Sequence, residues 1–430
     1  MTERARSLIG LFLVAIGAAL FAVAFRSSLA LVYRVAYGAQ DVVGAMTGLP
    51  AWMRVIVPVG GGLVAGLIAS LRPTQGVSNV MEAVALGKVH LSFRTTLSRV
   101  TASWSAIATG MSIGREGPLI EFGGTLGATV GRVMGTSLDR TRVLVAAGTA
   151  AGFAAAYNTP FAAVLFVLET IVGIAALEAM LPTMAAAVMA TALTRAVVGG
   201  GPIYGQRSFV LQSPAELASF AALGLLAALA AFGFKSTLAL FEHWLVRHPI
   251  PQPARATLGG LLVGAIAVWV PDVAGNGYEP LNLILDQRLL LSAAMVLAVA
   301  KVLATSGSVA SGVPGGIFTP VLLVGGVTGL LWAHVVPLLG VSSAANAGSY
   351  ALVGMAATTA ASIHAPLTAA VLVFELSGDY PIVLPLLLAT VVATSLSRGL
   401  SSKSVYESEL NRKGLGWELT LEGRRLTSIE

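Results

Sequence analysis

A glutamate set between glycines and followed by proline, Gly114-Arg115-Glu116-Gly117-Pro118, stands in a stretch otherwise as apolar as a lipid tail. An ionisable side chain in such surroundings marks a functional site by default. Two other segments also put small or flexible backbone directly before an expected helix. They are Thr74-Gln75-Gly76-Val77-Ser78-Asn79 and Gly315-Gly316-Ile317-Phe318-Thr319-Pro320. Unpaired N–H groups and the positive end of the dipole make a helix start a site for an anion. Glycine lets the backbone come close, and proline in the first turn loses no needed donor. Three such starts converging at mid-membrane would hold a small anion without a full positive charge, so that it could leave again. The Glu116 carboxylate fits the same donors and would compete for them. Protonation would release it, because the neutral acid loses its attraction to the dipole. One side chain would thus link the passage of an anion to a proton. The plainer alternatives are ordinary helix starts whose glycines pack against neighbours, and an ion pair of Glu116 with Arg115.

The elements that must position these residues are set by composition. The chain has 430 residues, 56% hydrophobic and 11% charged, against about 25% charged in soluble domains. Water is therefore not the main solvent of this surface, and the lipid bilayer is the expected surrounding. Each span needs roughly 20 apolar residues, and long apolar runs lie near 8–36, 53–71, 140–156, 160–174, 177–198, 215–245, 254–270, 287–305, 348–361 and 381–398. The formal charge of +6 fits basic loops and ends facing the cytoplasm better than a nucleic-acid partner. With no cysteine, disulfides, thiolate metal sites and thiol nucleophiles are excluded. The apolar run Leu8–Phe25 is longer than the core of a cleaved signal peptide. It reads as an uncleaved first helix whose start is held in the cytoplasm by Arg4 and Arg6. Residues 401–430 turn polar and basic and read as a short cytoplasmic tail, with no room for an added regulatory domain. A multi-pass protein of the cell inner membrane with both termini cytoplasmic follows.

Between the long runs lie Gly-rich stretches at 110–135 and 311–336, too broken for simple spans and too apolar for aqueous loops. Non-helical backbone at membrane depth survives only where protein or a water-filled cavity covers it. Such segments at matching positions of two halves point to a transport site. The pattern P-x4-G-G-x-x-G runs from Pro118 through Gly123, Gly124 and Gly127. It returns at Pro320, Gly325, Gly326 and Gly329, an offset of 202. Gly148, Pro160 and Glu169 correspond to Gly354, Pro366 and Glu375 at an offset of 206, with PFAAVLFVLE against PLTAAVLVFE. Two matches in one order predict homologous membrane repeats over 1–205 and 206–410, joined near GGGPIYGQRS, then a tail at 411–430. Parallel and inverted repeats both fit this pattern.

GREGP, GGIFTP and NTPFAAVLFVLE, taken together, resemble the signature segments of the CLC family of chloride channels and chloride–proton exchangers. The likeness runs from about residue 60 to 410. It implies an all-α polytopic membrane protein with an inverted-repeat CLC-like fold of many tilted and half-spanning helices, assembled as a homodimer with one pore per subunit. It also implies that Glu116 is the external gating glutamate and that the amides of Ile317 and Phe318 line the central anion site, beside Gly316. Arg115 and Gly117 of GREGP, with Gln75 and Gly76 of the first segment, complete the implied site. Tyr406, in KSVYESEL, falls at the central pore tyrosine; on its own it would read as an interface aromatic. Two segments depart from the family pattern. Gln75 stands at the serine of G-S-G-I-P and Ser78 at its proline. Thr170 stands where the internal proton-relay acid is expected.

Other polar residues have plainer readings. Glu169 and Glu375 match across the repeat and suit helix-end roles. Lys301 ends an apolar helix and would snorkel or pair with a carbonyl. His364, the counterpart of Asn158, would bond backbone near Pro366 rather than a metal. No HExxH, P-loop or dinucleotide fingerprint occurs in the right context, so no cofactor, metal or enzymatic activity is expected. The function expected is exchange of chloride, or a similar monovalent anion, for protons. A passive anion-selective channel and a transporter tuned to fluoride or nitrate are the alternatives. An intramembrane enzyme using Glu116 or His364, and a membrane scaffold, are the readings from other classes.

Overall fold

The computed structural model describes residues 2–72, 76–87, 91–172, 177–205, 216–339, 346–401, 403–420 and 423–428. The chain opens with α1 (Glu3–Tyr37), α2 (Val42–Gly48), α3 (Ala51–Ser70), α4 (Val77–Leu86), α5 (Phe93–Ala108) and α6 (Glu116–Val133). α7 (Leu138–Tyr157), α8 (Pro160–Phe166), a π-helical turn at Val167–Val172 and α9 (Leu177–Val198) follow. Then come α10 (Glu216–Arg247), α11 (Gln252–Trp269), α12 (Tyr278–Leu285), α13 (Leu291–Ala310) and α14 (Phe318–Val335). α15 (Ala347–Ile363), α16 (Pro366–Ser377), α17 (Val383–Leu400) and α18 (Val405–Arg412) complete the helices, before an antiparallel hairpin of β1 (Leu415–Thr420) and β2 (Gly423–Ser428). Among the described residues, seven helical segments are long and apolar enough to cross a membrane, while α4 and α16 are apolar but shorter. The molecule is thus an all-α polytopic membrane protein, with the hairpin as its added β element.

The faces fit a lipid solvent. Leu8, Phe12, Leu13, Ile16 and Leu20 of α1 are exposed, whereas Val14, Ala15, Ala18, Ala19 and Ala22 are buried. Small residues let helices approach closely where no hydrophobic force drives them together in lipid. The two glycine patterns use this similarly. A Cβ on Gly148 of α7 would lie 2.1 Å from the Gly123 carbonyl oxygen of α6, and one on Gly123 would lie 2.0 Å from that of Gly148. In the α14–α15 pair, a Cβ on Gly354 would meet the Gly325 oxygen at 2.3 Å, and one on Gly325 the Gly354 oxygen at 2.5 Å. The residues that end α7 and α15 also correspond. Asn158 (φ 60°) and His364 (φ 56°) both cap in the left-handed conformation, one residue before the Thr159-Pro160 and Ala365-Pro366 starts of α8 and α16.

The repeat glutamates are reciprocal caps. The Glu169 carboxylate accepts from the Leu367 amide (3.1 Å), the Thr368 amide (2.7 Å) and the Thr368 hydroxyl (2.6 Å) at the start of α16. Glu375 accepts from the amides of Phe161 (3.2 Å) and Ala162 (2.8 Å) at the start of α8. Each glutamate thus caps the start of the helical segment that carries the other.

Four details differ from expectation. Lys301 lies in mid-α13 rather than at its end, fully buried; of its two expected roles it takes the carbonyl pairing, donating to Val273 (2.9 Å) and Gly275 (2.6 Å). His364 turns its ring to Ser397 (3.4 Å) and Glu407 (3.6 Å) rather than to backbone. α5 falls outside the apolar runs because its polar side is satisfied inside the protein, Thr96 bonding Thr125 at 2.9 Å. Residues 405–412 form a helix packed into the molecule, with Tyr406 and Leu410 buried, so the polar C-terminal stretch is not a free tail throughout.

The crossings predict a sharp contrast. Gly148→Ala should lower stability by about 1–3 kcal/mol, the range for overpacking. Gly60→Ala, at a helical position with nothing within 4 Å of its Cβ, should not. Thermal midpoints in detergent test this; equal midpoints would contradict the close approach.

Candidate functional site

The site begins with what proline removes. The first N–H groups of a helix have no partner within it. In α14 these belong to Phe318 and Thr319, since Pro320 carries none and the Val321 amide already bonds the Ile317 carbonyl at 3.0 Å. Both free amides point at one acceptor. Glu116 Oε1 accepts from the Phe318 amide at 2.8 Å and from the Thr319 amide at 3.3 Å. Its Oε2 accepts from the Thr319 hydroxyl at 3.3 Å. Because that hydroxyl has one proton, Tyr157 donates to it in turn, across 2.8 Å. Glu116 is 1% exposed and is itself the first residue of α6. One helix start therefore delivers a carboxylate to the start of the other.

The loops before these helices hold that geometry. Gly114 and Gly316 pair as an isolated antiparallel bridge, with N–H to carbonyl distances of 2.7 and 2.8 Å. No side chain fits there: a Cβ on Gly114 would lie 2.1 Å from the Glu116 carboxylate, and one on Gly316 would lie 2.2 Å from it. The glycines thus serve close backbone approach. The Glu116–Arg115 ion pair considered from sequence is replaced by contact with α14.

A cavity of about 430 Å³ opens below the carboxylate, lined by Gly76, Glu116, Gly117, Gly316, Ile317 and Tyr406 among others. These sequence-selected residues, drawn from α4, α6, α14 and α18, do converge. Phe318 is buried beside them and packs edge-on to Phe153 and Phe166, with ring centroids 5.6 and 6.5 Å away. Tyr406, 8% exposed, meets Phe166 edge-on at 6.0 Å. Arg115 lines a different cavity of about 270 Å³ with Arg26, Tyr33 and Glu279. Consecutive residues thus belong to separate openings, Arg115 to this one and Glu116 to the other.

Gln75 lies outside the described residues. Ser78, at the second departure in that segment, has a clear local use. Its hydroxyl donates to Glu409 of α18 at 2.7 Å and accepts from Lys413 at 2.5 Å, and Lys413 also reaches Asn79 at 2.6 Å. A proline there could not tie α4 to α18. Thr170 sits on the π-helical turn, buried, its hydroxyl bonded to the Phe166 carbonyl at 2.5 Å. It is not among the residues lining either cavity. The lining residues Arg99, Glu121 and Glu409 were missed from sequence; their signal was charge inside apolar or short polar helices.

What the arrangement can do is hold one anionic group on two amides and a hydroxyl, in a pocket with no cation bonded to it. The group present is the chain's own carboxylate. Charge-assisted bonds of this kind contribute about 1.5–3 kcal/mol each.

Known proteins share this architecture. The profile of the family described as voltage gated chloride channel matches residues 60–398. A putative chloride channel protein ClcB-like of Ralstonia nicotianae is 37% identical over 93% of this chain and 95% of its own length. A voltage-gated ClC-type chloride channel ClcB of Salmonella typhimurium is 32% identical, over 92% of this chain and 96% of its own. A slow cyanobacterial Cl⁻/H⁺ antiporter superposes with a TM-score of 0.86 at 25% identity, covering 95% of this chain and 98% of that one. A CLC-type fluoride/proton antiporter shares the fold (TM-score 0.77, 19% identity, 94% and 97% covered). With its paired glycine crossings, reciprocal glutamate caps and carboxylate-filled helix start, the chain belongs to the CLC, or voltage gated chloride channel, family.

Proposed function

We propose that the protein exchanges chloride, or a similar monovalent anion, for protons across the cell inner membrane. The observation that carries this reading is the Glu116 carboxylate bonded to the two free amides of α14. In that position it occupies the anion's place. When it takes up a proton, the bonds that depend on its charge weaken, the side chain swings away and an anion replaces it. When the anion leaves, the deprotonated side chain returns. A proton and an anion thus take turns at one set of donors.

In this mechanism Gly76, Gly117, Gly316, Ile317 and Phe318 present backbone to the anion and the Tyr406 hydroxyl faces it from below. Arg115 draws anions into the other cavity. Residues 1–205 and 206–410 act as two membrane repeats, and 411–430 with the N-terminus face the cytoplasm. The assembly is a homodimer with a complete pathway in each subunit. The relatives named as chloride channels and the structural neighbour described as a Cl⁻/H⁺ antiporter support this reading.

A second reading, a passive anion channel, is favoured by Thr170, which bears no acid where the family resemblance expects one. Purified protein in liposomes separates the two. Under a chloride gradient an exchanger drives protons against their own gradient; chloride flux without proton movement selects the channel.

Two substitutions test the roles. Glu116→Gln should give anion flux that no longer varies with pH, because an amide cannot take up the proton that releases the carboxylate, and should move no protons. Wild-type pH dependence in that variant would remove Glu116 from the gate. Tyr406→Ala should weaken anion binding about tenfold, near the lower worth of a hydrogen bond to a charged group. Isothermal titration with chloride measures this, and unaltered affinity would remove Tyr406 from the site.

A further inference from the structure

Three acids line the cavity beneath Glu116: Glu121, Glu242 and Glu409. Glu242 is engaged by Arg412, and Glu409 accepts from Ser78, which Lys413 also contacts. Glu121 differs from both. It is 3% exposed, its Oε2 takes the Arg99 guanidinium at 3.2 Å, and its Oε1 has no hydrogen-bond partner. It also lies on α6, the helix that begins with Glu116. The two are five positions apart, about 7.5 Å along the axis at the rise of an α-helix.

From this geometry we infer that Glu121 is the proton donor and acceptor that serves Glu116 from the α18-side cavity. The inference rests on the exchange reading above and names a residue for its proton branch. A proton taken from cavity water makes Glu121 a neutral acid. It then passes that proton, through water between the two side chains, to the Glu116 carboxylate. Glu121 returns to its charged form and Glu116 becomes the neutral acid that leaves the α14 amides. In reverse, the proton goes back to Glu121 and out to water. The groups facing Glu121 fit both states. Arg99, on α5, stabilises the carboxylate after the proton has gone. Glu409, on α18, faces the same cavity and opposes a second permanent negative charge there. The unpartnered Oε1 is a place for the proton that leaves the Arg99 bond intact. The chain thus has an acid on the gate's own helix, although Thr170 bears none.

Chloride and proton fluxes measured together in proteoliposomes test the assignment. Glu121→Gln should cut chloride-driven proton uptake about a hundredfold, the low end for loss of a positioned proton-transfer group, while chloride flux persists; Glu121→Asp should restore coupling. Wild-type proton uptake in Glu121→Gln overturns the assignment and leaves the exchange reading standing. Absence of proton uptake in the wild type overturns both. Should Glu121→Gln not fold, the double variant Arg99→Gln with Glu121→Gln removes the buried pair together, avoiding an uncompensated charge, and must lose coupling in the same way.

Discussion

Two backbone N–H groups, those of Phe318 and Thr319, have no partner within their helix, and the rest of the structure is arranged around them. Proline at the next position removes the third donor, and the fourth is already bonded within α14. Left bare in an apolar interior, the two would cost about 1–3 kcal/mol each. An anion relieves that cost, whether it comes from Glu116 or from solution. Selectivity by dipole and amide, rather than by a lysine or arginine in contact, keeps the hold weak enough for turnover. A full positive charge at the same depth would bind harder and release more slowly.

The surrounding scaffold fixes where those donors point. Gly114 and Gly316 lock the two loops together by a pair of short backbone bonds. Gly123 against Gly148, and Gly325 against Gly354, bring α6 to α7 and α14 to α15 at backbone contact. Glu169 and Glu375 exchange caps between the regions that the repeat relates. The Gly114–Gly316 bridge and the glutamate caps join residues about 200 positions apart, while the glycine crossings join neighbouring helices.

Much of this was legible in the sequence because it rested on backbone chemistry. Glycine–proline spacing at GREGP and GGIFTP announces helix starts, and apolar length announces spans, so the order of helices and the place of Glu116 followed. Other features depended on contacts between distant segments. α5 reads as polar because Thr96 and Arg99 find partners on α6 that only the fold supplies. Lys301 seemed to belong at a helix end, yet it reaches two carbonyls in the turn after α11. The stretch from 405 looked like solvent-exposed tail because its buried face is limited to Tyr406 and Leu410. Ser78 departs from the family pattern, and its bond to Glu409 was invisible until α18 was seen to return beneath α4.

The central claim is that a dissolved anion and Glu116 use the same two amides. Anomalous diffraction from bromide-grown crystals of Glu116→Ala addresses it directly. The account predicts a bromide peak within hydrogen-bonding reach of the Phe318 and Thr319 amides, where the carboxylate now lies. Bromide found only elsewhere, for example beside Arg26 and Arg115, with those amides bonded to protein groups, would contradict it.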